Sequence, residues 1–313
     1  MYVCGIGMEP IIDKIERDLL IKELTPNRFI RFTNNGNNEI YIFKGSEAPA
    51  LMKEVSRLRE VSFRKAGGGT GKSKDIDEFD IGKYAYNQLI VWNPIDQEII
   101  GGYRYINVPN AMDSEGNYHL STSEIVEYSE KLKKEIFPFT IELGRSFVQP
   151  QYQPSAENRK GLFSLDNLWD GLGALTILNP NMKYFFGKVT MYTHFNKLAR
   201  DYILTFLHYY FPDPDKLIFI PNALKIENDT SEFLDKIKGL PFKEGHHLLN
   251  KQVRELGENI PPLFNSYMNL SPTMRTFGTA VNDHFGYVEE TGIMLTIEDI
   301  YPSKKERHIN WKP

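Results

Sequence analysis

Apolar positions along the chain alternate between the helical and the strand period, and the switches mark out the elements. Residues 8–24 read as a helix that Pro26 closes. The β-type runs FIRFT (29–33) and EIYIFK (39–44) flank NNGNN, where Asn-Gly supplies the positive φ angles of a tight hairpin turn. A helix starts near Ser46 with Pro49 in its first turn, and Leu51, Val55 and Leu58 recur along it. QLIVW (88–92) and EIIGGYRYINV (98–108) read as strands around Asn93-Pro94. STSEIVEYSEKLKKE (121–135) reads as a charged helix and FTIELGRSFV (139–148) as a strand. Helix, strand and helix follow at 165–179, 184–192 and 195–211. Prolines and mixed charge from Pro212 to Ile260 suggest an excursion, after which a helix at 262–270 and strands at 276–281 and 292–298 close the pattern. Strands alternating with helices predict an α/β (α+β) fold, a mixed sheet covered by helices. We read a single domain over 1–313, with a helical arm (1–28), a core (29–211), an insertion (212–260) and a C-terminal helix and strands (261–313) completing the sheet.

Composition narrows the function classes. The chain of 313 residues is long enough for a large core, and no run approaches about 18 apolar residues, so no membrane-spanning helix is expected. Its start lacks a basic stretch followed by an apolar one, which predicts a cytoplasmic protein with at most peripheral membrane contact. Cys4 is the only cysteine, excluding an intrachain disulfide or a cysteine-rich zinc site, and no metal is expected. A net charge of −4 argues against a nucleic-acid partner.

Two motifs imitate known chemistry. GGGTGKS (67–73) suggests a phosphate loop, but the first glycine of that pattern is Ala66 here, and carboxylates (DIDEFD, 75–80) follow where phosphates would sit. We expect a mobile glycine-rich connection. His208 and Asp213 have the spacing of a hydroxyl-acyltransferase pair, without a companion phosphate-binding block.

More informative are charges at positions that a structural protein would fill with apolar side chains. Met52, Val55, Arg59 and Phe63 share one helix face, which turns Arg59 toward the core, where a guanidinium needs carboxylate partners. Ile100, Gly102, Arg104 and Ile106 alternate onto one strand face. Glu142 and Arg145 lie an odd spacing apart, so only a β-bulge, placed at Gly144, brings them to one side. Asp75, Asp77, Glu78 and Asp80 supply carboxylates nearby in sequence. An ion network with no chemistry accounts for this set about as well as a reaction site does.

LREVSFRKAG (58–67), DIDEFD (75–80), EIIGGYRY (98–105), ELGRSFVQPQYQ (142–153) and SLDNLWDGLGAL (164–175) together resemble the bacterial aminolipid N-acyltransferases, the ornithine-lipid and glycine-lipid enzymes of the GNAT superfamily, many once labelled hemolysin-like. The resemblance extends over about residues 50–300, and more distantly to acyl-homoserine-lactone synthases through Arg59, Asp77/Asp80, Arg104 and Glu142/Arg145. It implies a mixed, mainly antiparallel central sheet flanked by helices. The superfamily's coenzyme A pyrophosphate motif is missing after 139–148, where PSAENRKGLF (154–163) stands, as in the branch that uses acyl carrier protein.

The implied reaction moves a fatty acyl group, 3-hydroxylated in such enzymes, from a carrier-protein phosphopantetheine thioester to the α-amine of glycine or ornithine. No cofactor is bound; the thioester is a substrate, with acyl-CoA as the alternative donor. Glu142 is the candidate base, and backbone N–H groups of Leu143, Gly144 and Ser146 are candidates for the oxyanion. Arg59, Arg104 and Arg145 compete for the acceptor carboxylate, with Asp77, Asp80 and Phe63 beside them. Trp169 and Phe185 are candidates for the acyl pocket. Arg159 and Lys160, helped by Lys131, Lys133 and Lys134, are candidates for a basic mouth that meets the carrier. The alternatives are a synthase of acylated amino-acid signals and a non-enzymatic lipid-binding or lytic protein.

Overall fold

The computed structural model describes residues 8–153 and 161–309. Among them the elements are α1 (Arg17–Glu23), β1 (Phe29–Phe32), β2 (Glu39–Lys44), α2 (Pro49–Lys65), α3 (Glu78–Ile81), β3 (Asn87–Asn93), β4 (Glu98–Asn107), β5 (Glu127–Tyr128) and β6 (Thr140–Val148). They continue with α4 (Ser164–Leu178), β7 (Tyr184–Met191), α5 (Lys197–Tyr210), β8 (Ile218–Phe219), α6 (Ser231–Ile237), α7 (Phe242–Glu255), α8 (Pro262–Met268), β9 (Arg275–Asn282), β10 (Val288–Thr296) and α9 (Pro302–His308). Eight strands form one sheet in the order β1-β2-β3-β4-β6-β7-β10-β9. Every neighbouring pair in it is antiparallel except β6 and β7, which run parallel. The fold is thus a mixed α/β one with a large, mostly antiparallel sheet flanked by helices.

Both sheet faces are covered, which is why the central strands read as almost continuous apolar runs. On one face α4 and α5 pack over Leu89, Val91, Tyr103 and Val189; on the other α2 packs over Ile90, Trp92 and Phe147. No helix among the described residues is long and apolar enough to cross a membrane.

Three elements depart from the sequence expectation, each because tertiary pairing overrides local pattern. Of residues 8–24 only Arg17–Glu23 is helical, since the backbone before it is drawn along the glycine-rich loop (Glu9 N to Gly71 O 2.9 Å, Ile12 N to Ser73 O 3.1 Å). Residues 121–135 do not form one helix. Ser121–Glu124 is a short 3-10 turn, Tyr128 pairs with Ile218, and a π-type turn spans Leu132–Ile136. The 212–260 segment folds back onto α5, burying Phe233, Ile237, Leu249 and Val253 in the main core, so it is no loose excursion.

Candidate active site

The site begins with the parallel pair β6 and β7. Pairing of β6 with β7 runs from Thr140↔Tyr184 to Leu143↔Gly187 and stops there. Beyond that point β6 stays on β4 (Gly102↔Phe147, Gly101↔Val148), while β7 stays on β10 (Lys188↔Gly292 to Met191↔Glu289). The two strands therefore splay apart from Gly144 and Lys188 onward.

The β-bulge that starts this divergence lies beside Gly144, not on it. Gly144 stays in register opposite Arg104, and the two residues Arg145 and Ser146 face the single Tyr103. Arg145 carries the left-handed conformation, at φ 51°. That is uncommon for a residue with a β-carbon and costs on the order of 1–3 kcal/mol. Its guanidinium holds it there, pairing with Asp75 at 2.9 Å and Asp77 at 3.6 Å and covering the Phe285 ring at 4.2 Å. As a result Arg145 reaches the same carboxylate as Arg104, on the same side of the sheet.

The arginines form a ladder across the three aspartates. Arg59, fully buried on the predicted face of α2 with Met52, Val55 and Phe63, pairs with Asp80 at 2.9 Å and donates to Gln88. Arg104 pairs with Asp77 and, at 3.2 Å, with Asp80, and lies between the rings of Phe79 and Tyr86, 5.3 Å from each. Asp77 and Asp80 cap the two ends of a reciprocal turn at the start of α3 (Phe79 N to Asp77 2.9 Å, Asp77 N to Asp80 3.2 Å). Burial would raise the Asp80 carboxyl, but Arg59 and Arg104 outweigh it and hold it well below the usual range. Burial raises Asp75 against the pull of Arg145. Every one of the three arginines is thus already paired with carboxylate. Ile100 does not share the Arg104 face: a register shift between Val91 and Trp92 turns it into the opposite core.

Glu142 is fully buried on the Arg104 side. Its Oε2 accepts from Tyr86 OH (2.8 Å), and its Oε1 from Ser121 Oγ (2.8 Å) and Thr122 N (3.1 Å). Burial raises its pKa above the ordinary carboxylate value, opposed by the hydrogen bonds of Tyr86 and Ser121. Ser121, Tyr86, Lys188 and Glu290 were not singled out by the sequence reading. Lys188 bridges Glu290 (2.8 Å) and the Ser121 carbonyl (3.3 Å). Burial would raise Glu290, but Lys188 and Asn282 leave it lowered. A lone lysine in the apolar strand YFFGKVTM was the available signal for this pair.

A cavity of about 490 Å³ occupies the splay. Its polar wall includes Arg104, Ser121, Arg145, Lys188 and Glu290, and its apolar wall Leu143, Val148, Leu165, Leu168 and Leu263. Leu168 belongs to the core under α4, whereas Lys188 reaches Ser121 on the opposite face, so the cavity passes between the strands from one side of the sheet to the other. A smaller cleft of about 40 Å³ sits at the apex, lined by Gly144, Phe185 and Gly187 among others. Phe63, Leu143, Gly144 and Ser146, all candidates from the sequence, line the larger cavity. Trp169 is not on its wall; that ring packs edge-on against Tyr267 at 5.3 Å, and α4 presents Ser164, Leu165 and Leu168 instead.

The glycine-rich connection is anchored rather than loose. The buried Glu60 carboxylate accepts from Thr70 N (3.0 Å), Thr70 Oγ1 (2.7 Å) and Gly71 N (2.8 Å). A β-carbon on Gly68 would lie 3.0 Å from Val288 and 3.1 Å from Tyr192, so this glycine serves close approach over the cavity rim, not phosphate. Asp213 pairs with Arg275 and accepts from Leu217 N, which commits it away from His208. Lys131 pairs with Asp215, and Lys133 and Lys134 with Glu130, so these lysines are neutralised locally. Arg159 and Lys160 lie outside the described residues.

An acetyltransferase (GNAT) domain model matches residues 58–159, the stretch from Arg59 through the bulged strand. Two curated proteins, each named glycine N(α)-acyltransferase, from Phocaeicola vulgatus and Bacteroides thetaiotaomicron, are 51% identical to the chain over 303 residues. The alignments cover 96% of this chain and 93% and 90% of theirs. The chain belongs to the glycine N-acyltransferase family. It is an acyltransferase, with an acyl donor and an acceptor as its substrates. Among solved structures, the AHL synthase LasI aligns over 48% of this acyltransferase and 71% of its own chain, at 18% identity and a TM-score of 0.32.

Proposed function

We propose that this acyltransferase moves a long fatty acyl group from a carrier-protein thioester to the amine of glycine, making an N-acyl amino acid for aminolipid synthesis. The observation that carries the reading is the cavity through the β6–β7 splay, because it joins an apolar wall suited to an acyl chain to a polar wall suited to a zwitterion. The full-length likeness to glycine N(α)-acyltransferases supports glycine as the acceptor. The absent pyrophosphate motif favours carrier protein over acyl-CoA as donor.

The attacking nitrogen must shed a proton as it bonds to the thioester carbonyl carbon, and Glu142, with its raised pKa, is the base. Backbone N–H groups of Gly144 and Ser146, past the point where β7 stops pairing, and of Leu143 at the last pair, would stabilise the oxyanion. Arg145 is the guanidinium for the acceptor carboxylate, since it is the most exposed of the three, at 17%, and stands on the cavity wall. Arg59, Asp77 and Asp80 position this wall, and Phe185 closes the apex of the splay. Collapse of the tetrahedral intermediate breaks the C–S bond and releases the carrier thiol.

Lipid mass spectrometry of a host expressing the chain tests the reading. N-acylglycine should accumulate, and Glu142→Gln should abolish it. A host lipidome unchanged by the wild-type protein would refute it.

A further inference from the structure

Glu142 is fully buried and does not line the cavity, whereas Ser121 does, and Ser121 Oγ donates to Glu142 Oε1 at 2.8 Å. Any proton that reaches Glu142 from a substrate must therefore cross the Ser121 hydroxyl. Serine suits this task, because its oxygen donates one hydrogen bond while accepting another. The backbone of Ser121 is pinned from both sides, its N–H donating to Tyr86 OH (3.0 Å) and its carbonyl accepting from Lys188 Nζ (3.3 Å). A second group aims at the same place. Arg104 lines the cavity, and its buried Nε has no hydrogen-bond partner among the described residues. A β-carbon on Gly144 would stand 3.6 Å from Arg104 Nε and 3.6 Å from Ser121 Oγ, so both converge on the space that this glycine leaves open.

We propose that Ser121 is a catalytic residue that relays the amine proton to Glu142, at a reaction point bounded by Ser121 Oγ, Arg104 Nε and Gly144. This rests on acyl transfer to an amine, as proposed above. The acceptor gives one ammonium proton to solvent on becoming a free amine. As its nitrogen bonds to the thioester carbon, a second proton passes to Ser121 Oγ while the serine's own proton moves to Glu142 Oε1. Breaking the C–S bond gives a thiolate, which takes that proton back along the same path and leaves as the thiol. Arg104 Nε–H faces the oxygen that gains charge meanwhile.

The test uses the full chain with a long-chain acyl carrier-protein thioester and glycine. Ser121→Ala should lower kcat by about 100-fold, the scale of general acid–base catalysis, with both KM values within about 3-fold. Tyr86→Phe removes the other side-chain hydrogen bond to the same carboxylate and the acceptor of the Ser121 N–H but keeps the serine hydroxyl, and should cost no more than about 10-fold. Ser121→Ala and Glu142→Gln should not be additive, so the double variant should match the slower single one. Ser121→Thr against the isosteric Ser121→Val gives the same comparison if alanine disturbs folding, with activity kept only by the hydroxyl. Equal losses in Ser121→Ala and Tyr86→Phe, additive losses, or an active Ser121→Val would overturn the relay. Full activity of Glu142→Gln would instead remove Glu142 as the base, and inactivity of the wild type with glycine would remove the acceptor reading.

Discussion

Gly144→Ala separates the roles of folding and chemistry at the centre of the site. Gly144 lies in β6 with no positive φ, so its backbone suits any residue. The nearest atoms to an added β-carbon are Arg104 Nε and Ser121 Oγ at 3.6 Å and Arg104 Cγ at 3.7 Å, ordinary van der Waals contacts. No clash opposes the methyl group, and replacing a strand glycine by alanine stabilises by roughly 0.5–1 kcal/mol. The unfolding midpoint should hold or rise slightly. A reacting atom, by contrast, must come within about 3 Å of the serine oxygen and the arginine nitrogen to exchange hydrogen bonds with them. The methyl group occupies that position. Displacing the reacting groups by about 1 Å costs about 100-fold in rate, or about 2.7 kcal/mol of transition-state stabilisation. Thermal melts and steady-state acyl transfer to glycine, measured on the same preparation, decide the matter. A stable variant with nearly wild-type kcat/KM would refute the placement of the reaction point, and a loss of activity that merely tracked unfolding would refute the steric argument.

Asp80→Asn removes the carboxylate shared by Arg59 and Arg104 and should destabilise by about 3–5 kcal/mol, read by denaturant unfolding. Because the folded-state pKa of Asp80 is depressed, its contribution is present above the unfolded-state value and fades as pH falls through the folded one; acid unfolding of the wild type should show this and the variant should not. For Glu142 the raised pKa places the ascending limb of the kcat–pH profile above the ordinary 4.5, since only the ionised form accepts a proton. Tyr86→Phe, which removes a hydrogen bond to the ionised form, should move that limb to higher pH. Leu165→Trp fills the apolar end of the cavity and should shift the preference to shorter donors in a competition among thioesters of different chain length.

Much of this architecture was legible because both sheet faces are buried, so strands such as QLIVW and helix faces such as Met52–Val55–Arg59–Phe63 carry clear periods. Charges inside those periods pointed to buried arginines in need of carboxylates without assigning partners, and the structure pairs Arg59 with Asp80 and Arg104 with Asp77. What was hidden depends on contacts distant in sequence. Ser121 and Tyr86 acquire meaning only where they meet Glu142, and no local pattern reports that meeting. The bulge was expected on Gly144 because glycine tolerates odd backbone angles, yet Arg145 adopts the strained angle, held by Asp75 and Phe285. Likewise the glycines after α2 suggested mobility, whereas Glu60, an i, i+4 partner of Arg64 on the helix, fastens the loop.

The most direct measurement of the central claim is acyl transfer by the purified chain from a long-chain acyl carrier-protein thioester to isotopically labelled glycine, followed by mass spectrometry of the product. The account predicts labelled N-acylglycine formed together with free carrier thiol, at a rate that Glu142→Gln lowers by about 100-fold or more. Thiol release without labelled product, or labelled product at an undiminished rate in Glu142→Gln, would contradict it.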